Sequence, residues 1–342
     1  MAVVSARTLP LARPPGGYPD PVRFVIFGAG AIGAVVGARL HQAGREVLLI
    51  ARGAHHDVIA ARGLTLETPQ ERVVLPIAVA GSPDEVSFGV DDVVLLTTKS
   101  QDTEAALDAL RDAAPPSTPV VCLQNGVTNE RVALRRFADV YGAVVMAPTA
   151  HLEPGVVQAY ATTVTGEIDV GRYPSGGDER CRAVCEALAA ARFSSEPRED
   201  IMRLKYAKLI GNLANAVQAI CGMEGAIGEL IERAQEEGRT VLRAARIEFV
   251  VANVADLRRR WERWGVGEIE GRPRGGGSTW QSIVRGAGSV ETDYLNGEIV
   301  LRGRLTGVPT PVNELLQALA RETLRERRQP GWISAEDVLA RL

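Results

Sequence analysis

Residues 22–27, VRFVIF, form an unbroken β-branched and aromatic run between Pro21 and Gly28, the pattern of a strand buried on both faces. GAGAIG follows at 28–33, and AVVGARLHQAG beyond it predicts a helix closed by Gly44. EVLLI at 46–50 predicts the next strand. Further strands are predicted within 72–80 (RVVLPIAVA, a pair or an edge), 91–100 (DDVVLLTTKS) and 118–126 (TPVVCLQNG). Short alternating stretches over 140–172 predict that the sheet continues antiparallel, and a helix over 178–192 closes this half. From 200 onward the apolar period becomes helical. The helix containing KLIGNLANA (208–216) starts that half, and one long helix is expected over roughly 229–262. A loop with six glycines and one proline spans 265–277, and two helices split by GVPTP (307–311) follow. The predicted class is α/β: a Rossmann-type dinucleotide-binding domain over 22–199 and an all-helical domain over 200–342, with 1–21 a loose extension.

The strand–GxGxxG–helix–strand order gives the glycine motif its meaning. Gly28 allows the tight turn, Gly30 lets a pyrophosphate approach the backbone, and Gly33 lets the helix lie close to the strand. Ala29, Ala31 and Ile32 complete this cofactor loop at a helix N-terminus. The second strand is followed by Ala51, Arg52 and Gly53, with no carboxylate for a ribose 2′-hydroxyl. Arg52 would pair with a 2′-phosphate, so the cofactor is read as NADP; a solvated surface arginine is the alternative. Thr98, Lys99, Asn125 and Gly126 stand at strand ends, where open parallel sheets bind ligands. Asn125-Gly126 is also a common turn dipeptide, and Lys99 could be a loop lysine in solvent.

Length and composition narrow the class. The chain has 342 residues, more than one ordinary core accommodates, with 46% hydrophobic and 24% charged residues. A formal net charge of −3 speaks against nucleic-acid or anionic-membrane partners. No apolar run approaches the roughly 20 residues of a membrane span, and 1–21 lacks a signal peptide's apolar core, so a cytoplasmic location is expected. Four cysteines form no CxxC and the histidines have no metal-ligand spacing, so neither disulfide nor metal is expected.

Lys208, Asn212 and Asn215 interrupt the apolar KLIGNLANA helix and, at 100° per residue, fall within about 60° of one another. Burying an ammonium and two amides is costly unless something satisfies them. The stripe therefore either faces a site or consists of a snorkelling lysine and loop-capping asparagines; Lys205 lies on the same side.

GAGAIG, the Arg52 position, TTKS, LQNG, KLIGN and ETDYLNGEIV occur here in the order found in the ketopantoate reductase family, which the chain resembles from Val22 to about Arg325. The resemblance implies reduction of 2-dehydropantoate to (R)-pantoate by NADPH, in a cleft between the two domains. It implies that Lys208 is the general acid, that Asn212 holds substrate, and that Asn125 touches substrate and nicotinamide. Lys99 would lie near both ligands, and Ser278 and Glu291 would bind substrate, Glu291 at a hydroxyl. The chain departs from the family pattern around the substrate. The second helix asparagine is Asn215, with Ala216 where the family often has it, the Gln281-to-Glu291 spacing is one residue longer, and 257–277 is extended. Rival readings are a reductase of another branched 2-oxo acid and an NADP-binding sensor without turnover. The long helix could support a homodimer.

Overall fold

The computed structural model describes residues 22–225, 227–251, 262–272, 275–286 and 288–342; the extension of 1–21 lies outside them. Eight strands form the main sheet: β1 (Arg23–Phe27), β2 (Glu46–Ile50), β5 (Ala78–Ala80), β6 (Asp92–Leu96), β7 (Val120–Cys122), β8 (Val140–Met146), β11 (Gly166–Arg172) and β12 (Phe193–Ser194). Their spatial order is β12-β11-β8-β7-β6-β1-β2-β5, and every neighbouring pair is parallel except β8 with β11. A second sheet holds β3 (Leu64–Glu67), β4 (Arg72–Leu75), β9 (Thr149–Glu153) and β10 (Val156–Ala159). The expected antiparallel continuation over 140–172 is thus corrected. β8 joins in parallel, only β11 reverses, and β9 and β10 leave for the second sheet, where Val156 pairs with Thr65. The 72–80 stretch gives two edge strands in different sheets.

Alternation places Phe24 and Ile26 of β1 in one core and Val25 and Phe27 in the other, so both faces of the main sheet are buried. Helices α1 (Ala31–Gln42) and α5 (Glu179–Ala190) cover the first face; α3 (Thr103–Ala113) and α4 (Asn129–Leu134) cover the second. Between α1 and α3 in the chain, α2 (Gly53–Arg62) follows β2. α1 lies between the two sheets and buries Gly33 through Leu40, apolar except for Arg39, which bonds to Thr165 Oγ1 and Glu71. The four cysteines are buried and unpaired, Cys181 and Cys185 within the first core.

In the helical half, α6 (Ile201–Asn212) runs into α7 (Ala214–Cys221) through Leu213, whose backbone stays helical (φ −60°, ψ −26°). α8 (Ile227–Ala244), α9 (Ser278–Val284), α10 (Asn296–Thr306), α11 (Pro311–Arg325) and α12 (Ala335–Leu339) follow. The long helix expected over 229–262 ends at Ala244. Arg246 takes a left-handed φ of 55°, and Ile247 N–H donates back to Leu242 O, a Schellman-type stop. The chain then runs without regular structure to 251, and 252–261 lie outside the described residues. The segment before GVPTP holds α9, a 3-10 turn (Glu291–Tyr294) and α10 instead of one helix, and α12 is an addition to the predicted set.

Candidate active site

The chain passes from β1 outward to β2 and β5 on one side, then returns to β6 and β7 on the other. The reversal between β1 and β6 opens a crevice beyond the strand ends. A cavity of about 1060 Å³ occupies it and extends to α6, α7 and α9. Residues directly after four strands line it: Gly28 to Ile32 after β1, Arg52 after β2, Thr98 and Lys99 after β6, and Asn125 after β7. Lys208, Asn212, Asn215, Ser278 and Glu291 line it from the helical side.

The three glycines of GxGxxG differ physically. Gly28 has a φ of +107°, and a Cβ there would come 2.7 Å from Thr98 N. A Cβ on Gly33 would lie 2.4 Å from both Gly28 O and Thr97 Oγ1, so this glycine serves close packing and does not line the cavity. A Cβ on Gly30 would meet nothing within 4 Å. Gly126 (φ +79°) also stands off the cavity wall, with Tyr294 O 3.3 Å from where its Cβ would be. Its place is a turn. Arg52 is exposed at the N-terminus of α2 and makes no hydrogen bond or ion pair among the described residues.

Lys208 donates to Val145 O on β8. Burial pushes its ammonium down to about 7; the charge of Lys205 adds to that and Glu291 opposes it. Lys205 has another fate. It is buried, 2.5 Å from Glu130 Oε1, and donates to Gln124 O (2.9 Å) and Ala143 O (3.2 Å). Lys99 donates to Ser282 Oγ at 2.5 Å, and burial holds its pKa below the usual lysine range, partly offset by Glu291. Glu291 Oε1 accepts from Ser100 N (3.1 Å) and Ser100 Oγ (3.0 Å). Asn212 Nδ2 and Ser278 Oγ are buried on this cavity without a hydrogen-bond partner. Such groups are costly unless a ligand completes them.

Some contributors escaped the sequence reading. His55 Nδ1 accepts from Gly155 N–H (2.8 Å), so its proton sits on Nε2 and is donated to Ala29 O in the glycine loop (2.7 Å). His151 lies against it, ring centres 4.2 Å apart, pushed down to about 3 mainly by burial. Arg285, the residue capping the C-terminus of α9, donates to His151 O (2.9 Å). One overlooked signal was available in the sequence. The chain has only three lysines, Lys99, Lys205 and Lys208, and every other basic position counted with them is arginine. All three lie on this cavity or directly behind it. Among the described residues no cluster of His, Cys, Asp or Glu could hold a metal ion, and no helix is long and apolar enough to cross a membrane.

A glycine-bounded helix N-terminus at a sheet's switch point, facing a part-buried lysine across an interdomain cleft, defines a dinucleotide-dependent oxidoreductase with a Rossmann-type and a helical domain. The models described as ketopantoate reductase PanE/ApbA and its C-terminal domain match residues 24–175 and 200–324, and the chain belongs to this family. It is 32% identical to the 2-dehydropantoate 2-reductase of Pyrococcus horikoshii, over 89% of this chain and 98% of that protein. The enzyme of the same name from Archaeoglobus fulgidus is 30% identical, over 87% and 97%. Among solved structures, a PanE/ApbA family ketopantoate reductase from Ralstonia eutropha JMP134 superposes with a TM-score of 0.75 at 31% identity, covering 90% of this chain and all of that one. D-mandelate dehydrogenase, solved with NADH and anilino(oxo)acetate, shares the fold at 23% identity and a TM-score of 0.75, over 89% and 99% of the two chains.

Proposed function

We propose that this protein reduces 2-dehydropantoate to (R)-pantoate with NADPH, a step toward pantothenate and coenzyme A. The observation that carries the reading is Lys208: a part-buried lysine whose ammonium is pushed down to about 7, on the same cavity as the glycine loop. The residues present fit the cofactor. Gly30 leaves backbone open to a pyrophosphate, and Arg52 is a free cation where a 2′-phosphate would lie.

NADPH, when bound, supplies a hydride to the ketone carbon. The chain's own residues do the rest. Lys208 donates a proton to the carbonyl oxygen and stabilises the negative charge that grows there. Asn212 and Ser278 offer their unpartnered polar atoms to the substrate, and Asn125 lines its other side. Asn215, on the same wall one turn beyond Asn212, takes the role of the family's second asparagine. Ser100 holds Glu291, leaving the second carboxylate oxygen to accept from the substrate hydroxyl. Thr98 and Lys99, which line the cavity after β6, would hold the nicotinamide side of the cofactor. Residues 22–199 form the cofactor domain and 200–342 the catalytic domain; a cytoplasmic homodimer completes the proposal.

One observation favours a second substrate, another branched 2-oxo acid. After α8 stops early, Phe249 and Val250 line the cavity as apolar wall. A panel of 2-oxo acids followed by NADPH absorbance separates the readings. Ketopantoate should be the best substrate, with 2-oxoisovalerate, which lacks the hydroxyl, poorer by up to about 10⁴-fold. A preference for another 2-oxo acid selects the second reading. NADPH binding without turnover of any acid makes the protein a sensor.

A further inference from the structure

Glu130 stands in the first turn of α4 with its side chain wholly buried, and Lys205 is its counter-ion. The Lys205 ammonium has three oxygens close around it: it is ion-paired with Glu130 Oε1 at 2.5 Å and donates to the carbonyls of Gln124 and Ala143, while neither Glu130 oxygen accepts a hydrogen bond. Gln124 directly precedes Asn125. Ala143 lies two residues before Val145, the carbonyl that takes Lys208. Both lysines therefore tie one face of α6 to successive inward carbonyls of β8.

The wiring continues behind the cavity wall. Gln124 Nε2 donates to Thr98 O (2.7 Å) and Thr103 Oγ1 (2.8 Å). Thr103 Oγ1 donates to Asn129 Oδ1 (2.9 Å), and Asn129 Nδ2 donates to Asn125 O (2.9 Å) and Ser100 Oγ (3.2 Å). Ser100 carries the chain of bonds to Glu291. Three residues that face the ligand, Thr98, Asn125 and Glu291, thus hang on one buried polar network that begins at the ion pair.

We propose that the buried Glu130–Lys205 ion pair is the positioning element of this site, fixing the Asn125 loop and the Lys208 turn of α6. The proposal rests on the reading of Lys208 as the proton donor. Stability alone is a weak reason for such a pair, because apolar residues of similar volume generally do as well. The residue type is telling too. In a chain that otherwise uses arginine, a compact ammonium meets three converging oxygens that a planar guanidinium fork does not match.

Cys122 on β7, Tyr173 after β11 and Tyr206 on α6 all feel Glu130, and burial raises each, so they are uncharged near neutrality. Glu291 faces Lys208 from the 3-10 turn and favours its charged form, while Lys205 disfavours it.

The test uses the full-length protein. With three lysines in the chain, ¹³Cε-lysine NMR resolves the titration of Lys208 directly, assigned by its loss in Lys208→Ala, and needs no turnover. Lys205→Met, and the double variant Lys205→Met/Glu130→Leu that avoids an unpaired buried charge, should raise the Lys208 midpoint by about one unit or more. Both should lower kcat by about 10²-fold through misplacement of Asn125 and Lys208. Glu130→Asp keeps both charges and supplies the same kcat comparison if the double variant does not fold. A folded double variant with the wild-type Lys208 midpoint and kcat would reduce the pair to a structural role and overturn the proposal, as would a Glu130→Asp enzyme with lowered melting temperature and wild-type kcat. Wild-type protein that turns over no 2-oxo acid would instead count against the reductase reading, while the NMR titration still decides the inference.

Discussion

Lys205 and Lys208 are three residues apart on one helix and carry the same charge, yet the fold treats them oppositely. Lys205 has a carboxylate and two carbonyls; Lys208 has one carbonyl, the cavity and a depressed proton affinity near 7. Because the folded-state pKa lies below the unfolded value, burying charged Lys208 opposes folding most fully below about pH 7. That penalty fades as pH rises toward the ordinary lysine range. Lys208→Ala should therefore keep or raise its melting temperature at and below neutral pH while losing about 10²–10⁴-fold in kcat. In the wild type, kcat/KM for ketone reduction should fall as pH rises through about 7, and for pantoate oxidation it should rise, since the same group must first be neutral. Profiles in both directions, with melting curves, check this; flat profiles, or a folded Lys208→Ala with normal turnover, would remove Lys208 from the chemistry. The sequence placed both lysines on one side of a helix and could not separate them, because what distinguishes them is Glu130, 75 residues away in the chain.

The glycine loop shows how one element divides packing from binding. A methyl on Gly33 would strike backbone at Gly28, so Gly33→Ala should cost about 1–3 kcal/mol of stability and weaken NADPH as well. Gly30 has a φ of −77° and no neighbour within 4 Å of a Cβ. Gly30→Ala should melt like the wild type and lose NADPH affinity, because the methyl stands where the pyrophosphate approaches. Calorimetric melting and NADPH titration of the two variants separate these effects; undiminished NADPH binding by Gly30→Ala would move the phosphates elsewhere. The strand–loop–helix unit was readable because its signals are local. The end of α8 was not: it is set by a left-handed Arg246, and arginine carries no local signal for positive φ.

Across the molecule, hydrogen bonds join the segment after β6 to the helical half: Lys99 with Ser282, Gln101 with Ser289 at 2.9 Å, and Ser100 with Glu291. Both walls of the cleft are thus held in place, and a cofactor bound to the native state alone raises the stability of the whole. At a hundredfold excess over Kd the gain is about 2.7 kcal/mol. NADPH should shift the melting temperature more than equal NADH, and Arg52→Ala should erase that difference by removing a contact worth about 1.5–3 kcal/mol. Equal shifts by the two cofactors in the wild type would detach Arg52 from cofactor choice.

By itself the sequence determined the α/β-then-helical order, the glycine loop, the strand-end positions of Thr98, Lys99 and Asn125, and the polar stripe of Lys208, Asn212 and Asn215. These follow from periods of two and 3.6 and from turn chemistry, which act over a few residues. Only the tertiary structure decided that β9 and β10 build a second sheet over α1, that Gly126 serves a turn, that His55 braces the glycine loop, and that Lys205 belongs to Glu130 while Lys208 faces the cavity. Each of these depends on which distant groups share a desolvated space, where an unpaired charge or amide costs several kcal/mol or so, and no local pattern along the chain encodes that pairing.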